Sequence, residues 1–107
     1  MKINFDAIET QVIPGFKGGK GDFIVKMFSD ESGKILFGKL EPGSEIGYHK
    51  HEGNAEIIYI LSGKGKCLYE GEEETLEVGD CHYCPDGHSH ALINNSVENL
   101  EFFAVVR

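Results

Sequence analysis

The chain has 107 residues, enough for one hydrophobic core but not two, and a formal net charge of −8. That acidity excludes the basic surface a nucleic-acid partner requires and disfavours an anionic membrane face, so solubility is its simplest use. No apolar run approaches the length of a membrane span, and the opening Met1–Asp6 is unlike a signal peptide. Three cysteines, an odd number without a framework of pairs, point to a reducing cytoplasm.

Taken in order, the first ten residues have no period and read as an arm or an edge strand. Residues 1–21 are expected to form an N-terminal arm and loop, with the glycine-rich Gly15–Gly21 near a barrel mouth. That run lacks the full phosphate-loop pattern, and no apolar helix follows it. Strands are expected over Asp22–Ser29 and Lys34–Leu40, separated by the turn Asp30–Gly33 and closed by Pro42-Gly43. His49 and His51 then lie two apart, which on a strand aims both imidazoles to one side. Gly53-Asn54 turns the chain, and the strand that follows begins at Glu56, so its carboxylate can return beside the two rings. Two imidazoles and a carboxylate suit Fe, Mn, Ni, Zn or Cu better than Ca or Mg.

Ser62–Gly65 reads as a hairpin turn, followed by strands at Lys66–Glu70, Thr75–Val78 and Cys81–Cys84. His88–Ile93 and Leu100–Val106 complete the set. The 14 glycines and nine or ten short strands, with no helical periodicity, predict an all-β sandwich or barrel in a single domain spanning 1–107.

At Gly79 the pattern meets a family. Gly43-x5-His49-x-His51-x4-Glu56-x6-Gly63 resembles the first cupin motif (43–63) at every defined position. Gly79-x5-Pro85-x-Gly87-x2-His90-x3-Asn94 resembles the second (79–94) equally completely. The resemblance implies a small jelly-roll barrel and a divalent transition metal held by His49, His51, Glu56 and His90. It also implies a metal-dependent enzyme of dioxygenase, decarboxylase, lyase or isomerase type. Such an enzyme would chelate a small oxygen-bearing molecule. The alternative is a non-catalytic module that binds a small ligand or metal. Small single-barrel cupins are commonly dimers, so a homodimer is expected.

Other residues are weighed against plain packing. Cys81 and Cys84 are three apart, so on a strand they face opposite sides and cannot meet. Cys67 reads as core, and His82 shares a face with Cys84. His88, two before His90, is the candidate acid–base group because an imidazole titrates near neutrality. Tyr83 is a poorer candidate because a phenol titrates far higher.

Overall fold

A computed structural model describes all residues 1–107. Ten strands alternate along the chain: β1 (Gln11–Pro14), β2 (Asp22–Asp30), β3 (Gly33–Leu40), β4 (Glu45–Lys50), β5 (Glu56–Ser62), β6 (Lys64–Tyr69), β7 (Glu72–Glu77), β8 (Cys81–Cys84), β9 (Ser89–Ile93) and β10 (Leu100–Val106). The only helical turns are short 3-10 turns at Phe5–Ala7 and Phe16–Gly18. No helix is long and apolar enough to cross a membrane. The strands form a six-stranded sheet in the order β1-β2-β3-β10-β5-β8 and a four-stranded sheet in the order β4-β9-β6-β7. All paired strands are antiparallel. Strand spacing predicted a sandwich or barrel, and this is the jelly-roll barrel that the cupin resemblance implied.

The sequence produces this architecture by alternation. In β5, Ile58 and Ile60 are buried while Ile57, Tyr59 and Leu61 are exposed. In β10, Leu100, Phe102 and Ala104 are buried between partly exposed neighbours. Period-2 burial of this kind puts one face of each strand on a shared core. Phe23, Val25, Leu36, Leu40, Leu92 and Phe102 are among the side chains that fill it. Cys81 is exposed and Cys84 buried on β8, so the two thiols face opposite sides, and all three cysteines are free. The expected strand boundaries at β8 and β10 are met. The Ser62–Gly65 turn is tighter than expected, because β6 already begins at Lys64. Gly63 supports that turn with φ of 79°, and a Cβ there would fall 2.1 Å from the Asn99 carbonyl oxygen.

Two features aim residues at one end of the barrel. The β4–β9 register shifts between Ile46 and His49, a bulge that inserts a residue and resets the phase of the strand. Ile46 and His49 are three apart, yet both line the same cavity. The glycine-rich loop packs on this bulged strand: Glu45 N–H donates to the Lys20 carbonyl at 2.8 Å. Gly47 has no room for a side chain, since a Cβ would fall 2.0 Å from the Lys17 carbonyl oxygen.

Gly47→Ala is therefore expected to destabilise the protein by about 1–3 kcal/mol, the cost typical of overpacking. Denaturant unfolding measures this, and an unchanged midpoint would show that the loop yields freely.

Candidate metal centre

The strands bring four polar side chains from distant positions to one spot between the sheets. His49 comes from β4, His51 from just beyond its end, His90 from β9 and Glu56 from the first position of β5. His49 and His90 face each other as cross-strand partners. Glu56 reaches across from the opposite sheet. One donor atom from each of the four lies within 4.8 Å of the others. His51 Nε2 is 3.2 Å and His90 Nε2 3.0 Å from Glu56 Oε1, and the two Nε2 atoms are 2.9 Å apart. His51, Glu56 and His90 are buried, and His49 is half-buried against the cavity.

The donor set fits a transition metal. His49 Nδ1 is 2.7 Å from the Gly47 carbonyl, which can only accept, so that nitrogen carries the proton and Nε2 is left with its lone pair. His51 Nδ1 donates in the same way to Asn54 Oδ1 at 2.7 Å. Lone pairs on imidazoles and a carboxylate oxygen converging this closely repel one another unless a proton or a cation stands among them. Neutral Nε2 donors with one carboxylate are a coordination set for a divalent transition ion.

The electrostatics agree. Burial alone would raise the Glu56 carboxyl, but hydrogen bonds from His51 and His90 outweigh it and hold the group at about 2. The hydrogen bond to Glu56 raises His51 above its ordinary value. Burial lowers His49, despite its bond to Gly47. The metal-free centre thus keeps a carboxylate and shares a proton through His51, which a metal ion must displace.

A second convergence, Cys67, His82 and His90, lies deeper in the core. Burial pushes the Cys67 thiol up to about 12, so it remains a neutral thiol rather than a thiolate ligand. Sequence reading left the facing of His82 open. It points inward beside Cys84 and touches His90, with Nε2 3.0 Å from His90 Nδ1. Its partner Glu74 was missed altogether. The available signal was alternation on β7, which sets Glu74 on the same face as buried Leu76.

His88 takes a different position from the quartet. Its Nδ1 is 2.5 Å from the Tyr69 hydroxyl, and its backbone carbonyl accepts from His51 N–H. It is half-buried and is not among the residues lining the cavity. Tyr83 is exposed on the outer side of β8. Asn94, the last residue of the second motif, is fully buried. It ties three segments together, donating to the Leu40 and Glu98 carbonyls and accepting from Ser96.

Three of the four, His49, His51 and Glu56, line a cavity of about 300 Å³, and His90 stands behind them. Phe16, Phe23, Met27 and Leu36 give it an apolar floor, and Lys17, Lys34 and Lys50 stand among its polar lining. Residues 36–106 match the model of the cupin domain. This chain belongs to the cupin family. It is 37% identical to an oxalate-binding protein of Thermotoga maritima, over 99% of this chain and 93% of that protein. It also superimposes on the crystal structure of a predicted oxalate decarboxylase from Thermotoga maritima, with a TM-score of 0.92 and 33% identity. That match covers 99% of this cupin and 97% of the other chain. A cupin-2 domain from Rhodospirillum rubrum shares the fold, with a TM-score of 0.82 at 16% identity over 100% of this chain and 74% of the other.

Replacing His51 with alanine is expected to lower metal occupancy by roughly one to two orders of magnitude while the barrel stays folded, because a ligand is lost rather than core area. Metal analysis of the purified variant, beside His90→Ala, checks this, and full retention in both would rule out the quartet. Affinity should also depend on pH. The proton on His51 competes with the metal, so binding weakens as pH falls through the raised His51 value and strengthens above it. A metal titration across pH 5.5 to 8.5 reads the trend, and a flat profile would count against a ligand role for His51.

Proposed function

We propose that this cupin binds a divalent transition metal through His49, His51, Glu56 and His90 and acts on a small oxygen-bearing anion of the oxalate class. The observation that carries this reading is the set of neutral imidazole donors and one carboxylate opening on a cavity that also holds lysines. A chain of net charge −8 nonetheless offers Lys17, Lys34 and Lys50 around this cavity. Lys50 is paired with Glu52 at 3.7 Å. Lys17 and Lys34 remain to meet an anionic ligand, and the cavity's volume of about 300 Å³ limits its size. The Thermotoga maritima matches, named an oxalate-binding protein in one comparison and a predicted oxalate decarboxylase in the other, support the same ligand class. When bound, a divalent transition metal supplies a Lewis acid that chelates and polarises carboxylate oxygens.

Of the four reaction types consistent with the site, decarboxylation fits this ligand best, with formate and carbon dioxide as products of oxalate. The second reading is a non-catalytic binder. It is favoured by the position of His88, whose imidazole is engaged with Tyr69 and is not part of the cavity lining. A proton transfer to substrate needs a titratable group within reach. On the catalytic reading His88 takes that role, for which its ring has to leave Tyr69 and turn toward the cavity.

Calorimetry with protein loaded with Mn(II) should detect oxalate binding that disappears on metal removal and in His51→Ala. Absence of binding by the loaded wild type would exclude the oxalate class. Lys17→Met should weaken oxalate by roughly two- to fivefold, the size of an exposed charge pair. Formate release then separates the readings. If the protein is a decarboxylase, His88→Gln should keep its metal and lose about a hundredfold in turnover. If it is a binder, no formate forms and the variant binds oxalate as the wild type does.

The same reading includes a homodimer in the reducing cytoplasm, in keeping with an exposed Cys81 thiol. The outer face of the six-stranded sheet is the surface we assign to self-association. Ile57 and Tyr59 are exposed there, Tyr83 pairs beside Ile57, and Phe103 and Val105 pair on the other side. An apolar face of this kind is self-complementary across a two-fold axis. Light scattering at micromolar concentration should give twice the chain mass, and Tyr59→Lys should return it to a monomer.

A further inference from the structure

His90 differs from the other two imidazoles in how its distal nitrogen is satisfied. For His49 and His51 the partner of Nδ1 is an oxygen two or three residues away. For His90 it is a third side chain, His82, whose Nε2 lies 3.0 Å from His90 Nδ1. His82 is 2% exposed and continues the line, because its own Nδ1 sits 2.8 Å from Glu74 Oε1. The Glu74 side chain is 41% exposed, so the line ends at the barrel surface.

The chemistry of these atoms fixes its direction. A carboxylate accepts only, so His82 carries its proton on Nδ1 and donates it to Glu74. The Nε2 of a neutral His82 is then an acceptor, and His90 Nδ1 must be the donor. That leaves the Nε2 of a neutral His90 free to offer its lone pair to a metal ion beside Glu56. Cys67 Sγ, 3.3 Å from the same His82 Nε2, adds a thiol beside it from β6. The ring centroids of His82 and His90 are 5.2 Å apart at an interplanar angle of 25°, nearly coplanar, as a hydrogen bond between the edges of two imidazoles requires.

We propose that Glu74 and His82 are positioning residues of the metal centre: a carboxylate–imidazole pair that acts through His90, locking it in the Nδ1–H tautomer and making its Nε2 a stronger donor. Neither residue belongs to the ligand set or to the cavity. Their effect reaches the ion only through the imidazole that they orient. A hydrogen bond from a ligand histidine to a carboxylate or its relay raises ligand basicity as well as fixing the ring. The β7 strand, otherwise a row of solvent-facing acids at Glu72, Glu73 and Glu77, would in this way contribute one inward carboxylate to the centre.

This inference rests on the metal reading above, and the experiment separates the two. Co(II) is titrated into wild type, His82→Leu, His82→Gln, Glu74→Leu and Glu74→Gln against a competing chelator, with the d–d absorption spectrum recorded at saturation. Thermal melts of the metal-free proteins report folding. His82→Leu removes the acceptor and is expected to weaken Co(II) by roughly 10- to 100-fold and shift the d–d bands. His82→Gln offers an amide oxygen near the lost Nε2 and should recover most of the affinity. Glu74→Leu should lose affinity in the same direction and Glu74→Gln, whose amide oxygen still accepts from His82 Nδ1, recover part of it. Metal-free Glu74→Leu is expected to stay folded but melt somewhat lower, because the buried His82 Nδ1–H loses its acceptor. If His82→Leu does not fold, the two Glu74 variants decide the matter alone. Wild-type affinity and spectrum in folded Glu74→Leu would overturn the proposal and leave the metal centre standing. Failure of wild type to bind Co(II), Mn(II) or Zn(II) would remove both.

Discussion

Everything at the open end of this barrel depends on keeping lone pairs pointed at one another. Two imidazole Nε2 atoms 2.9 Å apart, each within 3.2 Å of the same carboxylate oxygen, are a repulsive arrangement without a cation or shared proton. The fold holds it by paying on the far side of each ring, where a carbonyl, an amide oxygen and a second imidazole accept the Nδ1 protons. The donors come from both sheets, so an ion there would tie the sheets together at the mouth. Metal loading and barrel stability would then be coupled.

The framework of this site was legible in the sequence because it obeys short periods. His49 and His51 are aimed together by the two-residue repeat of a strand, and β8 and β10 were bounded correctly by their flanking turns. The inward face of Cys84 and the outward face of Cys81 follow from the same repeat. Spacing across two motifs brought in His90, which no local pattern ties to His49.

What was not legible arises where period 2 is broken or where contacts are long-range. The bulge between Ile46 and His49 puts two residues three apart on one wall. Alternation from Ile46 would have turned His49 outward. Glu74 lies in a run of acids, Glu72–Glu74, that by composition alone reads as a solvated edge. Only the packing of β7 against β6, with Leu76 in the core, turns Glu74 toward His82. The partnership of His88 with Tyr69 likewise joins β6 to the start of β9, across 19 residues of chain.

The loop before β2 explains how so small a barrel carries both a centre and a pocket. Lys17 adopts a left-handed backbone with φ of 56°, unusual for a side chain other than glycine or asparagine, and is held there by its carbonyl against Gly47. Gly19 is equally confined, since a Cβ would fall 2.1 Å from the Glu45 carbonyl oxygen. Two glycines thus allow two backbones to touch, one on the loop and one on the strand that carries His49. The contact puts Phe16 over the core beside Phe23, with ring centroids 5.1 Å apart, and sets Lys17 at the cavity rim. Glycine supplies the proximity, the strained lysine supplies the charge, and the bulge turns the imidazole toward both. A side chain at position 47 would act on all three at once, by lifting the loop from the strand that orients the ligand.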